Sequence, residues 1–360
     1  MTTRRNFLKT GVVFCSCFLL DRAHAQPAGP AKLPVAVAGK KVKTIDVHAH
    51  CHFREAGALL GAEANAIQVP TVVNGAPEAF IEIDKRLAAM DAQAVDLEVL
   101  SINPFWYGRD RDLAAQIVKI QNEKLAELCA RKPDRFAAFA SLTLQAPDLA
   151  VTELEIAVKK QGLKGAAIGG AVAGVEFSDP KFHPVWAKAE ELGVPLFIHP
   201  QGVAELGKRL AGNGWLGNTI GNPLETTIAL SHLIFEGTLD RFPGLKVIAA
   251  HGGGYLPSYA DRSDHACLVG PRGCNADIKL KKKPTEYLKQ LYFDSLIFSP
   301  EAIRHLAAQV GAGQIVLGSD YPYPWQLRPV DHIFASTSLS DDEKIAILGG
   351  TAAKLLNIAG

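Results

Sequence analysis

The sequence predicts a single (β/α)8 barrel, the TIM-barrel form of the α/β class, with an insertion after the first strand. From residue 41 onward, eight short apolar, β-branched runs alternate with longer helical patterns, the order that builds a parallel sheet wrapped by helices. Gly162, Gly193 and Gly311 stand where helical patterns stop, as expected of helix C-termini. No Gly-x-Gly-x-x-Gly opens the first helix, so the doubly wound alternative lacks its dinucleotide marker, and no repeat of solenoid length is visible.

Taken in order, the first strand is Lys43–His48. A stretch without periodicity, residues 51–77, then carries Gly, Ala, Pro and Asn; at that end of a barrel, an insertion shapes the pocket. The helix Glu78–Asp91 leads to strand two, Val95–Ile102, and Ala114–Arg131 to strand three, Phe136–Leu142. Asp148–Gln161 precedes strand four, Gly165–Gly169, and Pro184–Leu192 precedes strand five, Pro195–His199. Leu224–Asp240 leads to strand six, Lys246–His251. Strand seven is Leu291–Leu296, and the helix Pro300–Val310 leads to strand eight, Gln314–Gly318. A final helical pattern covers Asp341–Asn357.

Composition narrows the function classes. The chain has 360 residues, 48% apolar and 21% charged, with 38 Lys+Arg against 37 Asp+Glu. That is enough to bury a large core and leaves no room for a collagen, coiled-coil or disordered reading. A net charge of +1 gives too weak a field to gather nucleic acid or an anionic membrane surface. No apolar run reaches the roughly 18–20 residues that span a bilayer.

Residues 1–25 read as an export signal: Arg4-Arg5 with Phe7, Leu8 and Lys9, a short apolar run from Gly11 to Leu20, then Ala23-His24-Ala25. The arginine pair matches the twin-arginine pattern, with an ordinary secretory signal or a membrane anchor as the alternative. This places the mature protein in the periplasm or outside the cell. Cleavage would remove four basic groups and one acid and take the formal charge from +1 to −2. Residues 26–40, rich in Pro, Ala and Gly, are expected to be a flexible leader into a domain spanning 41–360. Of the six cysteines, Cys15 and Cys17 would leave with the signal, and the rest are too scattered for a disulfide scaffold. Cys267 and Cys274 could pair in an oxidising compartment, but two separate thiols is the plainer expectation.

The chemistry is positional. The first strand ends Asp46-Val47-His48-Ala49-His50, the fifth ends Ile198-His199, the sixth ends Ala250-His251, and the eighth runs into Gly318-Ser319-Asp320. Four strands therefore deliver an imidazole or carboxylate to one rim, where barrel active sites are built. Side chains alternate along a strand, so His48 and His50 share a side. Two imidazoles, a third from across the barrel and a carboxylate suit a divalent metal such as zinc. Cys51 faces away by the same alternation, and His52 lies beyond the strand.

Five ordered segments carry a resemblance: Asp-x-His-x-His at 46–50, Phe-Ile-His-Pro at 197–200, Asn-Pro-x-Glu-Thr-Thr at 222–227, Phe-Pro-x-Leu-Lys-Val-x-x-x-His-Gly-Gly-Gly at 242–254 and Gly-Ser-Asp-Tyr-Pro at 318–322. Together they resemble the amidohydrolase superfamily, more narrowly its branch of aminocarboxymuconate-semialdehyde and γ-resorcylate decarboxylases, over nearly the whole mature chain. The resemblance implies one catalytic metal, zinc or else manganese, held by His48, His50, His199 and Asp320, with His251 beside the metal-bound water as acid/base. It implies that Trp215 lines the substrate pocket, and that Arg262 reaches across a homodimer interface to a substrate carboxylate; a surface ion pair with Asp261 or Asp264 is the alternative role for Arg262. No arginine occupies 71–77, where one muconate-type decarboxylase carries its second substrate arginine, and Arg54, Arg109 and Arg111 do not align as replacements. Lys164 precedes strand four, at the wrong end to bridge a second metal. The expected reaction is non-oxidative decarboxylation of a small unsaturated or aromatic carboxylic acid. A hydrolase of a lactone, amide or ester, or a hydratase, would use the same residues, and a metal-retaining binding protein is the non-enzymatic reading.

Overall fold

The computed structural model describes residues 34–61, 82–270, 274–323, 325 and 328–359. The proposed signal (1–25), part of the leader and most of the insertion after the first strand lie outside the described residues. A hairpin of β1 (Ala36–Val37) and β2 (Lys40–Lys41) occupies the end of the segment expected to be a flexible leader. Then come β3 (Ile45–His50), α1 (Arg54–Ala58), α2 (Ile83–Gln93), β4 (Leu97–Ser101), α3 (Arg111–Arg131), β5 (Phe136–Ala138), α4 (Pro147–Lys159) and β6 (Ala166–Ile168). The second half runs α5 (His183–Leu192), β7 (Pro195–Ile198), α6 (Asn222–Phe235), α7 (Thr238–Arg241), β8 (Lys246–Ala249), α8 (Ala260–Val269), α9 (Pro284–Tyr287), β9 (Tyr292–Asp294), α10 (Pro300–Val310) and β10 (Ile315–Val316). Three short helices follow: α11 (Asp331–Ala335), α12 (Asp341–Ile345) and α13 (Thr351–Leu355).

All strand pairs from β3 to β10 are parallel, in runs β3-β4-β5 and β6-β7-β8-β9-β10. Two seams close the ring. Ala140 pairs with Ala166 between β5 and β6, while Asp46 pairs with Leu317 and Ala49 with Tyr321 between β3 and the end of β10. Each of the eight predicted strands overlaps one of β3–β10, and the barrel is the fold.

Inside the ring, Ile45, Val47, Leu97, Val99, Phe139, Phe197, Ile248 and Val316 pack together with Leu355 and Leu356 from the C-terminal segment. Phe139 and Phe197 stack with centroids 5.7 Å apart, a geometry that adds to their burial. The last helix thus plugs the end of the barrel where the strands begin. Lys43 Nζ bonds Ala359 O at 2.5 Å there, and Lys164 Nζ reaches Asn357 O at 3.4 Å, which places Lys164 at that end, away from the rim.

Local signals account for most helix limits. The Asp110 side chain caps α3 by accepting from Asp112 N and Leu113 N, and Ser299 caps α10, each satisfying amides the helix cannot. Two predicted helices are each interrupted. Leu224–Asp240 breaks at Gly237, which adopts φ 73°. Asp341–Asn357 breaks because the wide turn Ala346–Gly350 brings Gly349 against the segment leading into β3, where a Cβ would sit 2.0 Å from Lys43 O. Helix α8 was not expected from the sequence. The expectation of two separate thiols is also corrected: Cys267, on α8, is disulfide-bonded to Cys274, with Cα atoms 5.6 Å apart. Cys51 and Cys129 remain free. Among the described residues no helix is long and apolar enough to cross a membrane.

Because Lys43 O leaves no room at Gly349, Gly349→Ala forces the plug off the barrel floor and should cost about 2–3 kcal/mol, read from the denaturation midpoint. Gly313→Ala, which meets nothing within 4 Å, should stay within about 0.5 kcal/mol of wild type; equal effects from both would refute the plug's tight fit.

Candidate active site

The first strand does not alternate simply. Ile45 and Val47 face the interior, and Asp46 points to the other side. The register with β4 then shifts between Asp46 and Ala49, a bulge that re-aims the side chains beyond it. His48 turns inward against Phe197, centroids 5.1 Å apart, and His50 follows, its Nε2 3.1 Å from His48 Nε2. Cys51 lies in the outer layer, as alternation from His50 requires.

His199 follows β7, its amide bonded to Ile168 O of β6. Asp320 follows β10 and His251 follows β8, at φ 62° and 55°. Non-glycine residues in this left-handed region store strain and survive only where their surroundings hold them. For Asp320 the holder is the seam: its amide donates to His48 O at 2.8 Å. For His251 it is Asp294, whose Oδ2 accepts from His251 N at 2.9 Å and whose Oδ1 accepts from Gly252 N at 2.8 Å. The following Gly254 is obligatory, since a Cβ there would meet Pro223 O at 2.0 Å.

The ligand atoms of His48, His50, His199 and Asp320 all lie within 4.8 Å of one another, in buried side chains. Asp320 Oδ1 is 2.9 Å from His50 Nε2, 3.1 Å from His48 Nε2 and 3.9 Å from His199 Nε2. Yet Asp320 Oδ1 and both ring nitrogens of His199 are buried without a hydrogen-bond partner among the described residues. Leaving such groups unsatisfied is costly, and a divalent cation is the species that three imidazoles and a carboxylate would satisfy together. The donors present therefore fit a single metal.

The electrostatics of His199 and His50 point the same way. Burial drives His199 well below its ordinary value, with the surrounding imidazoles adding to it, and burial also lowers His50. Both imidazoles are thus neutral, the form that ligates metal. For His48, by contrast, burial is outweighed by the Asp320 and Asp294 carboxylates, which push it up to about 10, so without a cation this ring holds a proton that a bound metal would displace. Asp320 is buried, but the His48, His251 and His50 rings beside it hold it well below the carboxylate range.

Several supporting residues were not singled out from the sequence. Asp294 contacts His48 Nδ1 at 2.6 Å, orienting that ring as a carboxylate behind a ligating histidine does. In the sequence it lies inside the predicted strand Leu291–Leu296; in the structure it closes β9, at the same rim as the others. Asp46 accepts from His48 N and Ser319 N, and from the Ser319 hydroxyl, joining first and last strands; burial raises its carboxyl to about 7. Arg86, buried on α2, donates to His50 O and at 2.7 Å to Glu98 Oε2, a pairing no sequence pattern signals. Glu225, in the 222–227 segment, accepts from Gln201 N and Gly202 N at 2.5 Å each and so fixes the loop after His199; burial raises its carboxyl to about 7.

The remaining candidates lie outside the donor cluster. His251 Nε2 stands 3.9 Å from Asp320 Oδ2, beside the four donors and not among them. His52 packs on Phe105. Trp215 is at the mouth, 48% exposed, stacked on Trp325 at 5.2 Å. Arg262 sits on the exposed face of α8. Asp264 instead accepts two bonds from Thr285, and among the described residues Arg262 pairs with neither neighbouring acid. Arg111 is ion-paired with Asp148 on the outer surface.

Comparison with known proteins agrees with this arrangement. The amidohydrolase family profile matches residues 45–358. The 2-amino-3-carboxymuconate-6-semialdehyde decarboxylase of Dictyostelium discoideum is 33% identical over 279 residues, covering 76% of each chain. The gamma-resorcylate decarboxylase of Rhizobium radiobacter is 30% identical over 298 residues, 77% of this chain and 88% of that one. The structure of a dihydroxybenzoic acid decarboxylase from Polaromonas sp. JS666, with bound manganese and 2-nitroresorcinol, superposes with a TM-score of 0.74 at 26% identity, covering 88% of this chain and 97% of that one. With its barrel, its four convergent donors and these relatives, the chain belongs to the amidohydrolase family, on the branch of metal-dependent, non-oxidative decarboxylases.

Proposed function

We propose that the protein decarboxylates a small planar carboxylic acid, aromatic or conjugated, using one zinc ion, and that it works in the periplasm as a homodimer. The observation that carries the reaction is the buried convergence of His48, His50, His199 and Asp320 with His251 standing over it. The names of the relatives, which act on a carboxymuconate semialdehyde and on a resorcylate, support the substrate class. Three imidazoles favour zinc among biological divalent ions, while manganese in a similar structure makes it the competing metal. The Cys267–Cys274 disulfide favours an oxidising compartment, in keeping with the twin-arginine segment. Helix α8 bears Arg262, and its end exposes Leu268 and Val269 at 77% and 79%, apolar surface suited to a second copy.

A cation held by the four donors would draw off the negative charge that builds as CO2 leaves. The C–COO⁻ bond breaks, its electron pair stays on the substrate carbon, and a proton takes the place of the carboxyl group. His251 is placed to give that proton from Nε2, the nitrogen facing the cluster, the role a positioned imidazole takes in general acid–base catalysis. Its Nδ1 is buried without a partner among the described residues, and its backbone is clamped by Asp294. Asp294 therefore holds both the His48 ring and the His251 main chain at fixed separation. Above them the Trp215 and Trp325 rings give a planar acid a face to lie against and help exclude water.

Purified protein should contain about one divalent metal per chain, and chelation should abolish CO2 release from a panel of hydroxybenzoates and muconate-like acids followed by mass spectrometry. Ring-opened or hydrated products in place of CO2 would reject decarboxylation. His251→Ala should lower turnover by about 100-fold or more while metal content stays near one; loss of the metal as well would make His251 a ligand. Asp294→Asn preserves shape but removes the charge behind His48, and should cost roughly 10–100-fold in turnover or metal affinity. Size-exclusion chromatography with light scattering should return two chains, and Arg262→Ala should raise KM more than it lowers kcat; a monomer with unaltered KM would reject the shared site.

A further inference from the structure

One side chain connects the mouth of the barrel to the donor cluster. Trp325 donates its indole Nε1–H to Asp320 Oδ2 at 2.8 Å, while Oδ1 of the same carboxylate faces His50 and His48. The two oxygens thus have separate tasks. Trp325 also stacks on Trp215, planes 18° apart, and Phe298 lies against it with centroids 5.7 Å apart. Trp215 and Phe298 are each 48% exposed and sit at φ 52° and 64°. Bulky side chains in that backbone region are outliers that persist only when packing holds them, and the Trp325 ring is what both have in common. Trp106 and Trp186, in contrast, are buried with their indole N–H groups on backbone carbonyls of Leu142 and Phe177. Trp325 is the indole directed at the candidate metal site.

We propose that Trp325 is a positioning and specificity-determining residue: its N–H keeps Asp320 a single-oxygen ligand, and its ring, braced by Trp215 and Phe298, forms the wall that selects flat substrates. The inference rests on Asp320 being a metal ligand. A carboxylate free to turn could offer both oxygens and fill the position a substrate oxygen requires, whereas a catalytic site must keep one position open. An N–H bond to an ionised carboxylate belongs to the stronger class of hydrogen bonds, and partners of this kind behind a ligand set both metal affinity and activity. Because the same ring touches carboxylate and substrate face, a substrate too bulky to lie flat would push on Asp320 itself.

The test separates the two roles. Trp325→Phe keeps a ring and removes the N–H; Trp325→Leu removes both. Zn²⁺ affinity by chelator competition and the visible absorption of the Co²⁺-loaded protein need no substrate. In Trp325→Phe, Zn²⁺ affinity should fall about 10-fold or more, the Co²⁺ bands should change, and kcat should drop while KM for a planar acid stays within about three-fold. Trp325→Leu should show the same metal defect and a raised KM as well. In the wild-type chain, which needs no substitution to fold, the Trp325 indole signal in a ¹⁵N spectrum, assigned by elimination among the four tryptophans, should move when Zn²⁺ is added to the metal-free form. Wild-type affinity and an unchanged Co²⁺ spectrum in Trp325→Phe, or a stationary indole signal, overturns the inference. A wild-type chain that binds Zn²⁺ but decarboxylates nothing fails the functional reading alone; one that binds no Zn²⁺ overturns both.

Discussion

The seam where the first strand meets the last governs the rest of this structure, because closing the ring and assembling the site there use the same bonds. Val47 N donates to Leu317 O at 2.9 Å, Asp320 N to His48 O at 2.8 Å and His50 N to Tyr321 O at 2.7 Å. Asp46 adds the amide and hydroxyl of Ser319. Among the residues these bonds join are three of the four candidate ligands, His48, His50 and Asp320. Opening the seam by one step would lose barrel closure and separate Asp320 from His48 and His50 at once.

The price of this arrangement is buried polarity. His48, Asp294, Asp46, Glu98 and Arg86 are all essentially inaccessible to water. Burying such groups is unfavourable unless each finds a partner of opposite charge or a hydrogen bond. The layout meets that condition by sharing: Asp294 serves His48, His251 N and Gly252 N, and Arg86 serves Glu98 and His50 O. Stability comes from elsewhere, from the apolar layer between strands and helices and from the plug of Leu355 and Leu356. The barrel thus separates a floor that is apolar and sealed from a rim that is polar and preorganised.

Outside the donor cluster the rim is graded from charged to aromatic. Glu225 fixes the loop after His199, and the half-exposed Trp215 stacks on Trp325, which bonds Asp320. That order, a cation site below and flat apolar surface above, suits a substrate with an anionic group at one edge of a planar body.

The sequence by itself determined the barrel, since eight apolar runs spaced by helical patterns leave a parallel ring as the economical way to bury them. It also indicated which imidazoles and carboxylate reach the rim, because each lies at or just beyond the end of a strand. What it could not fix depends on contacts far apart in the chain. Plain alternation places His48 and His50 together but does not reveal the register shift that leaves Asp46 facing the other way. Asp294 and Arg86 resemble any acid in a strand or base in a helix until the fold sets them against His48 and His50 O. The Cys267–Cys274 bond needed those two residues brought within 5.6 Å, Cα to Cα, and the link from Trp325 to Asp320 needed that indole N–H aimed at the carboxylate. Periodicity records how much surface an element buries; which partner meets each polar group is decided only when the ring closes.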